Sequence, residues 1–223
     1  MGAWETRRHE HTTIAADEAR LPAQLSVPEF CETVVTLVRG GRGSRYEAVM
    51  SYVAERLAEA GIGYLLLDPL TEEEQKRYAS SSDVEWRTVR LLSVTRWLSE
   101  DPRTKGLRYG LFASGLEAAA ALRAAAALAE EQVGDLIRGI VAYQGRPDSA
   151  RGYLSVVSSP TLLIARRDEP EVLRLNEAIL NNLGGVSRLV SLSEPDNEHQ
   201  RTRGADVTAR IAELTVDWFR SHL

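Results

Sequence analysis

"YGLFASGLEAAAAL", Tyr109 to Leu122, decides the fold of this chain. Tyr109 to Ala113 is a short unbroken apolar run of the kind that forms a buried strand. From Leu116 onward the alanines and leucines favour a helix, because alanine loses almost no side-chain entropy there. Only a serine and a glycine separate the two runs. The chain therefore turns from strand to helix with almost no loop, as parallel α/β sheets require.

The same alternation extends in both directions. "TTIAADEARLPAQLSVP" holds two extended runs around a polar "DEAR" and reads as a hairpin over roughly 10–26. "ETVVTLVRGGRGSR" is a buried strand that ends in a glycine-rich loop. "YEAVMSYVAERLAEAG" is helical, with Val49, Val53 and Leu57 four residues apart and Gly61 as its stop. "IGYLLLDPL" is a further strand, and the charged "TEEEQKRYASSSDVEW" leads into a helix from about Asp83 to Ser99. Downstream, "IRGIVAYQG", "PTLLIARRD" and "SRLVSLS" read as strands. "RPDSARGYLSVVS" is a short helical excursion, and "PEVLRLNEAILNNLGG" is a helix. The closing helix "ADVTARIAELTVDWFRSHL" places Val207, Ile211, Leu214 and Trp218 on one face. The expected fold is α/β: one three-layer α/β/α domain over residues 1–223, with residues 1–10 as a flexible N-terminal segment. Its sheet would have about eight mostly parallel strands behind an antiparallel N-terminal hairpin.

The composition narrows the function. The 223 residues are 43% hydrophobic and 26% charged, with net charge −5. This balance suits a globular protein and disfavours nucleic-acid binding, which calls for a basic surface. No apolar run is long enough to span a bilayer, and the polar start "MGAWETRRHEHTT" lacks a signal-peptide core, so a cytoplasmic protein without membrane association is expected. Cys31 is the one cysteine, so no internal disulfide can form. "HEH" at 9–11 puts two histidines on one strand face without an evident third ligand, and neither a metal nor a cofactor is expected.

Ligands of parallel sheets bind at the carboxyl ends of strands, which directs attention to four loops. These are Arg39 to Arg45, Ala113 to Glu117, Asp168, and the segment around His199. A nucleophile followed by an acid after a late strand and a histidine after the last strand is the chain order of a hydrolase triad. In that arrangement the acid orients the imidazole, and the imidazole takes the proton of the nucleophile.

The segments "LTEEE", "GLF…AAAAL", "GRPD", "PTLLIARRDEPEVLRLN" and "DWFRSHL" together resemble the α/β-hydrolase superfamily, specifically its small dienelactone-hydrolase-like proteins. The resemblance runs from about Thr12 to Leu223. It implies a histidine-glycine loop after the strand matched by "TVVTLVRGG" and a Gly-x-Ser-x-Gly elbow before the alanine-rich helix. This chain departs from both. Arg39 stands in place of the histidine, followed by Gly40 and Gly41, and Arg39, Arg42 and Arg45 make the loop cationic. Aligned without gaps, the elbow becomes Ala113, Ser114, Gly115, Leu116, Glu117, which sets Gly115 at the nucleophile position. Sliding the frame makes Ser114 the nucleophile, flanked two residues away by Phe112 and Leu116 where small residues are needed. A second reading makes Ser114 the N-cap of the helix, with Glu117 completing a capping box. Asp168 and His199 match the acid and base positions by context. The acidic neighbours Glu194, Asp196 and Glu198 favour the charged form of that histidine.

Three functions follow as expectations. The first is a relative without the serine step, a pseudoenzyme that binds a small anionic or ester-like ligand in the strand-end cleft. The second is a hydrolase of small esters, thioesters or lactones that uses Ser114, His199 and Asp168, with an oxyanion loop of Gly40, Gly41 and Gly115. The third is an enzyme without a covalent step, in which Arg39, Arg42, Asp168 and His199 bind and protonate an anionic substrate, or a binder of an anionic molecule at the Arg39–Arg45 loop with Gly40 and Gly41.

Overall fold

A computed structural model describes residues 10–40, 45–78, 84–131, 136–193 and 204–223. Its centre is an eight-stranded sheet in the order β1-β2-β4-β3-β5-β6-β7-β8. β1 (Glu10–Ala16) and β2 (Ala19–Ser26) form the expected antiparallel hairpin, turned at Asp17 with φ 52°. A short polar side chain tolerates that left-handed backbone better than a bulky one does. β2 also runs antiparallel to β4 (Gly63–Leu67). All remaining neighbours are parallel: β3 (Thr33–Val38) against β4 and β5 (Arg108–Gly115), then β6 (Ile137–Gly145), β7 (Thr161–Arg166) and β8 (Ser187–Leu192).

Every residue of β3 and β4 is buried, so both strands are covered on both faces and read as continuous apolar runs. Alternation assigns the faces. Val35, Leu37, Phe112, Val141, Tyr143 and Ile164 pack with α1 (Glu47–Glu59) and with the closing helix, which supplies Ile211, Leu214, Trp218 and Phe219. Val38, Leu111, Ala113, Ile140 and Ala142 face the alanines of the helix Leu116–Glu130 instead. That helix buries Ala118 to Leu122 and Ala124 to Ala126. Alanine is required by proximity: a Cβ on Gly145 of β6 would stand 2.8 Å from Ala118 Cβ, so helix and strand already touch.

The charged stretch after β4 contains a helix of its own, α2 (Glu72–Tyr78), before α3 (Glu85–Glu100). A capping box starts α2. Glu74 N–H donates to Thr71 Oγ1 (3.2 Å) and Thr71 N–H donates to Glu74 Oε2 (2.8 Å). The alanine-rich helix is α4, the helix Pro170–Ile179 is α5, and the closing helix Gly204–His222 is α6. The excursion after β6 is a 3-10 helix, Pro147–Val156. Among the described residues, no helix is long and apolar enough to cross a membrane.

Candidate functional site

The sheet order reverses between β3 and β5: the chain leaves β3 toward β4 on one side, then returns to β5 on the other. The crevice at the carboxyl ends of those two strands is the topological switch point, where ligands of open parallel sheets bind. Arg39 and Gly40 follow β3 there, and Ser114 and Gly115 close β5.

The corner itself is Gly115, with φ 60° and ψ −130°. A side chain makes that backbone costly, and glycine adopts it freely. From the end of β6, Arg146 N–H donates to Gly115 O (2.9 Å) and fixes the turn. A Cβ placed on Gly115 would lie 3.7 Å from Tyr46 Cε2 and 3.8 Å from Glu117 Oε2, ordinary contact distances. The Tyr46 ring meets that of Tyr143 edge to face at 5.5 Å. Burial raises the pKa of both phenols, so both stay protonated.

Ser114 is fully buried in β5, level with Tyr143 in the register, and its Oγ has no hydrogen-bond partner among the described residues. The capping reading is therefore corrected. Gly115, not Ser114, is the N-cap of α4, and no side chain caps that helix. The chain keeps Ser114 in the strand, and Glu117 turns away to Arg87. The Ser-x-x-Glu spacing is present, but a buried cation on a neighbouring helix captures the carboxylate.

That cation comes from α3. Arg87 Nε donates to Glu117 Oε1 at 2.9 Å, and each side chain is only 10% exposed. Burial pushes the Glu117 carboxyl above its usual range, and Arg87 opposes the shift without cancelling it. The negative charge of Asp68 adds to the rise.

The other sequence candidates are placed as follows. Arg39 Nη2 is 2.9 Å from Asp68 Oδ2, because Val38 and Leu67 are register partners and the residues after them emerge side by side. Arg45 donates to both carboxylate oxygens of Glu169 at 3.1 Å, and its guanidinium lies 4.7 Å above the Tyr46 ring. Two of the three loop arginines are thus already held by acids. Asp168 accepts from Arg166 Nε at 2.9 Å and also from Arg166 Nη2, and its side chain is about half exposed. The Arg166 hydrogen bonds hold the Asp168 carboxyl below its usual range. Gly40 is exposed. Gly41, Arg42 and His199 lie outside the described residues.

The structure brings Gly115, Glu117, Arg87, Tyr46 and Tyr143 together, and the sequence had singled out only the first two. Asp68 could have been found by noting that it follows β4 as Arg39 follows β3. Arg87 carried no such signal, since its helix position reads as one polar residue among several.

No family model matches the chain. Two curated proteins from strains of Mycobacterium tuberculosis, each named "Putative phosphoribosyl transferase", are 35% identical over 216 residues. That is 97% of this chain and 47% of the relative, so the chain spans about half the length of the curated relatives it matches. Among solved structures, a dienelactone-hydrolase-like promiscuous phosphotriesterase from metagenomic libraries superposes with TM-score 0.70 at 16% identity, covering 96% of this chain and 98% of that one. The dienelactone hydrolase of Anabaena variabilis superposes with TM-score 0.84 at 30% identity. That match covers 97% of this chain and 98% of the Anabaena chain, and the chain belongs to the dienelactone-hydrolase family of α/β-hydrolase-fold proteins.

Proposed function

We propose that this protein binds a small molecule in the crevice above Gly115 and does not form a covalent acyl-enzyme. The carrying observation is the backbone of Gly115, φ 60° and ψ −130°, at the corner between β5 and α4. A nucleophile elbow needs that strained strand-to-helix turn to push a hydroxyl or thiol into the cleft. Here the residue that adopts it has no side chain. Ser114, one residue earlier, is fully buried within the strand.

The charges support the same reading. An oxyanion is stabilised at a helix N-terminus by its unpaired amides and its dipole. The first turn of α4 already carries the Glu117 carboxylate, whose charge opposes a second anion beside it. Asp168, the candidate orienting acid, is engaged by Arg166. The anion-binding reading of the Arg39–Arg45 loop is weakened likewise, since Asp68 and Glu169 neutralise Arg39 and Arg45. The phosphoribosyl transferase of the Mycobacterium tuberculosis names is said of proteins about twice this length. This chain matches about half of such a protein, and we do not carry the transferase activity over to it.

A fluorophosphonate probe tests the proposal. No stoichiometric adduct is expected on the purified chain. An adduct mapped by peptide mass spectrometry to Ser114 would replace this reading with the serine mechanism.

A further inference from the structure

Glu117 is a buried ionisable group at the candidate site that the binding reading leaves without a role. Its Oε1 is fixed by Arg87, while its Oε2 lies 3.8 Å from where a Cβ on Gly115 would stand. Gly115 itself is only partly covered. We propose that Glu117 is a general base that activates a water molecule lodged where a nucleophile side chain would otherwise sit. The protein would then hydrolyse a neutral ester or lactone directly. This rests on the reading that no covalent intermediate forms.

The chemistry balances without a cofactor. The Glu117 carboxylate takes a proton from water as the water oxygen bonds to the substrate carbonyl carbon. The tetrahedral alkoxide collapses and breaks the bond to the leaving oxygen. The proton on Glu117 passes to that oxygen, giving an alcohol and a carboxylic acid, or one hydroxy acid from a lactone. The amide of Leu116, the first residue of α4, is among the N-terminal amides without an acceptor inside the helix and can face the alkoxide. Arg87 keeps the carboxylate in one orientation, and burial brings its basicity nearer to neutral pH, where a general base works best. Tyr46 flanks the space with ring carbon, and Tyr143 packs edge to face against Tyr46.

The same site argues for an uncharged substrate. Glu117 carries the negative charge of the reaction, and Asp68 lies close enough to raise its pKa. Around them Arg39, Arg45, Arg87 and Arg166 are each already bound to a carboxylate. Among the described residues, a substrate bearing its own carboxylate would meet beside this acid only arginines already paired with carboxylates.

The test uses the purified full chain with p-nitrophenyl acetate, dihydrocoumarin and the carboxylate-bearing p-nitrophenyl hydrogen succinate. The expected result is slow turnover that is linear from the first cycle, no acyl adduct by intact mass, and preference for the two neutral probes. Glu117→Gln should lower kcat by about 100-fold or more, the usual worth of a general base. The rise of rate with pH should disappear in the same variant. Glu117→Asp keeps the charge opposite Arg87 but withdraws it by one methylene. With a native melting curve it should still lose about tenfold or more in kcat. Retained turnover in either variant overturns the assignment. Absence of turnover on every probe, with no adduct, also overturns it and leaves the binding proposal standing. An acyl adduct overturns both.

Discussion

Replacing Arg87 by methionine isolates the buried pair and gives the sharpest test of the site's electrostatics. Arg87 and Glu117 are each 10% exposed at the side chain, and the contact is 2.9 Å. Solvent screening is therefore weak. Removing one member of such a pair leaves an uncompensated buried charge and typically costs about 3–5 kcal/mol. For a chain of this length, 1 kcal/mol corresponds to about 2–4 °C in melting temperature, so a fall on the order of 10 °C is expected. The loss should depend on pH in a defined direction. The folded pKa of Glu117 is raised relative to the unfolded chain, chiefly by burial. Between the two values the native state binds more protons, so stability falls as pH rises through that window and is greatest below it. Without Arg87 the opposing attraction is gone, so the window widens upward. Arg87→Met should therefore be much less stable than the parent at pH 8 and should recover part of the difference near pH 5. The double variant Arg87→Met, Glu117→Gln should recover most of it at both. Urea unfolding at the two pH values reads this directly. A loss under about 1 kcal/mol for Arg87→Met at pH 8 would refute the reasoning, as would equal losses at both pH values.

Three further substitutions probe the corner and its neighbours. Gly115→Ser should fold, because its Cβ meets nothing closer than 3.7 Å, but should lose about 1–3 kcal/mol to backbone strain at φ 60°, read as a lower urea midpoint. Ser114→Ala removes a buried hydroxyl without a partner among the described residues and should leave the melting temperature unchanged or slightly higher, since an unmet buried polar group costs about 1–3 kcal/mol. Gly145→Ala drives a methyl to 2.8 Å from Ala118 Cβ, a side chain with no rotamer to yield, and should cost about 1–3 kcal/mol by thermal melting.

Legibility divides along physical lines. The strands could be read because both faces of β3 and β4 are buried, which forces continuous apolar runs on the sequence. The final helix could be read because Ile211, Leu214 and Trp218 face the sheet at helical spacing. α2 escaped because it buries almost nothing, so it has no apolar period, and its evidence is a four-residue capping box at Thr71 and Glu74. The same Ser/Thr-x-x-Glu spacing at Ser114 and Glu117 suggested a cap that does not form. The two cases differ in the backbone, where Gly115 rather than Ser114 is the N-cap, and in their surroundings. Glu74 stands where its carboxylate reaches both Thr71 N–H and Arg90, whereas Glu117 is drawn to a buried Arg87 thirty residues away in sequence. Local spacing states what a side chain is able to do, and the competing partner decides what it does. For that reason the corner was legible as backbone, in a glycine that only a strained turn requires, while its chemistry was not. The carboxylate beside the corner is fixed in place only when α3 is packed against α4 and supplies Arg87. A Cβ on Gly115 would stand 3.8 Å from Glu117 Oε2, so the side chain absent from the turn leaves space beside a carboxylate that Arg87 holds.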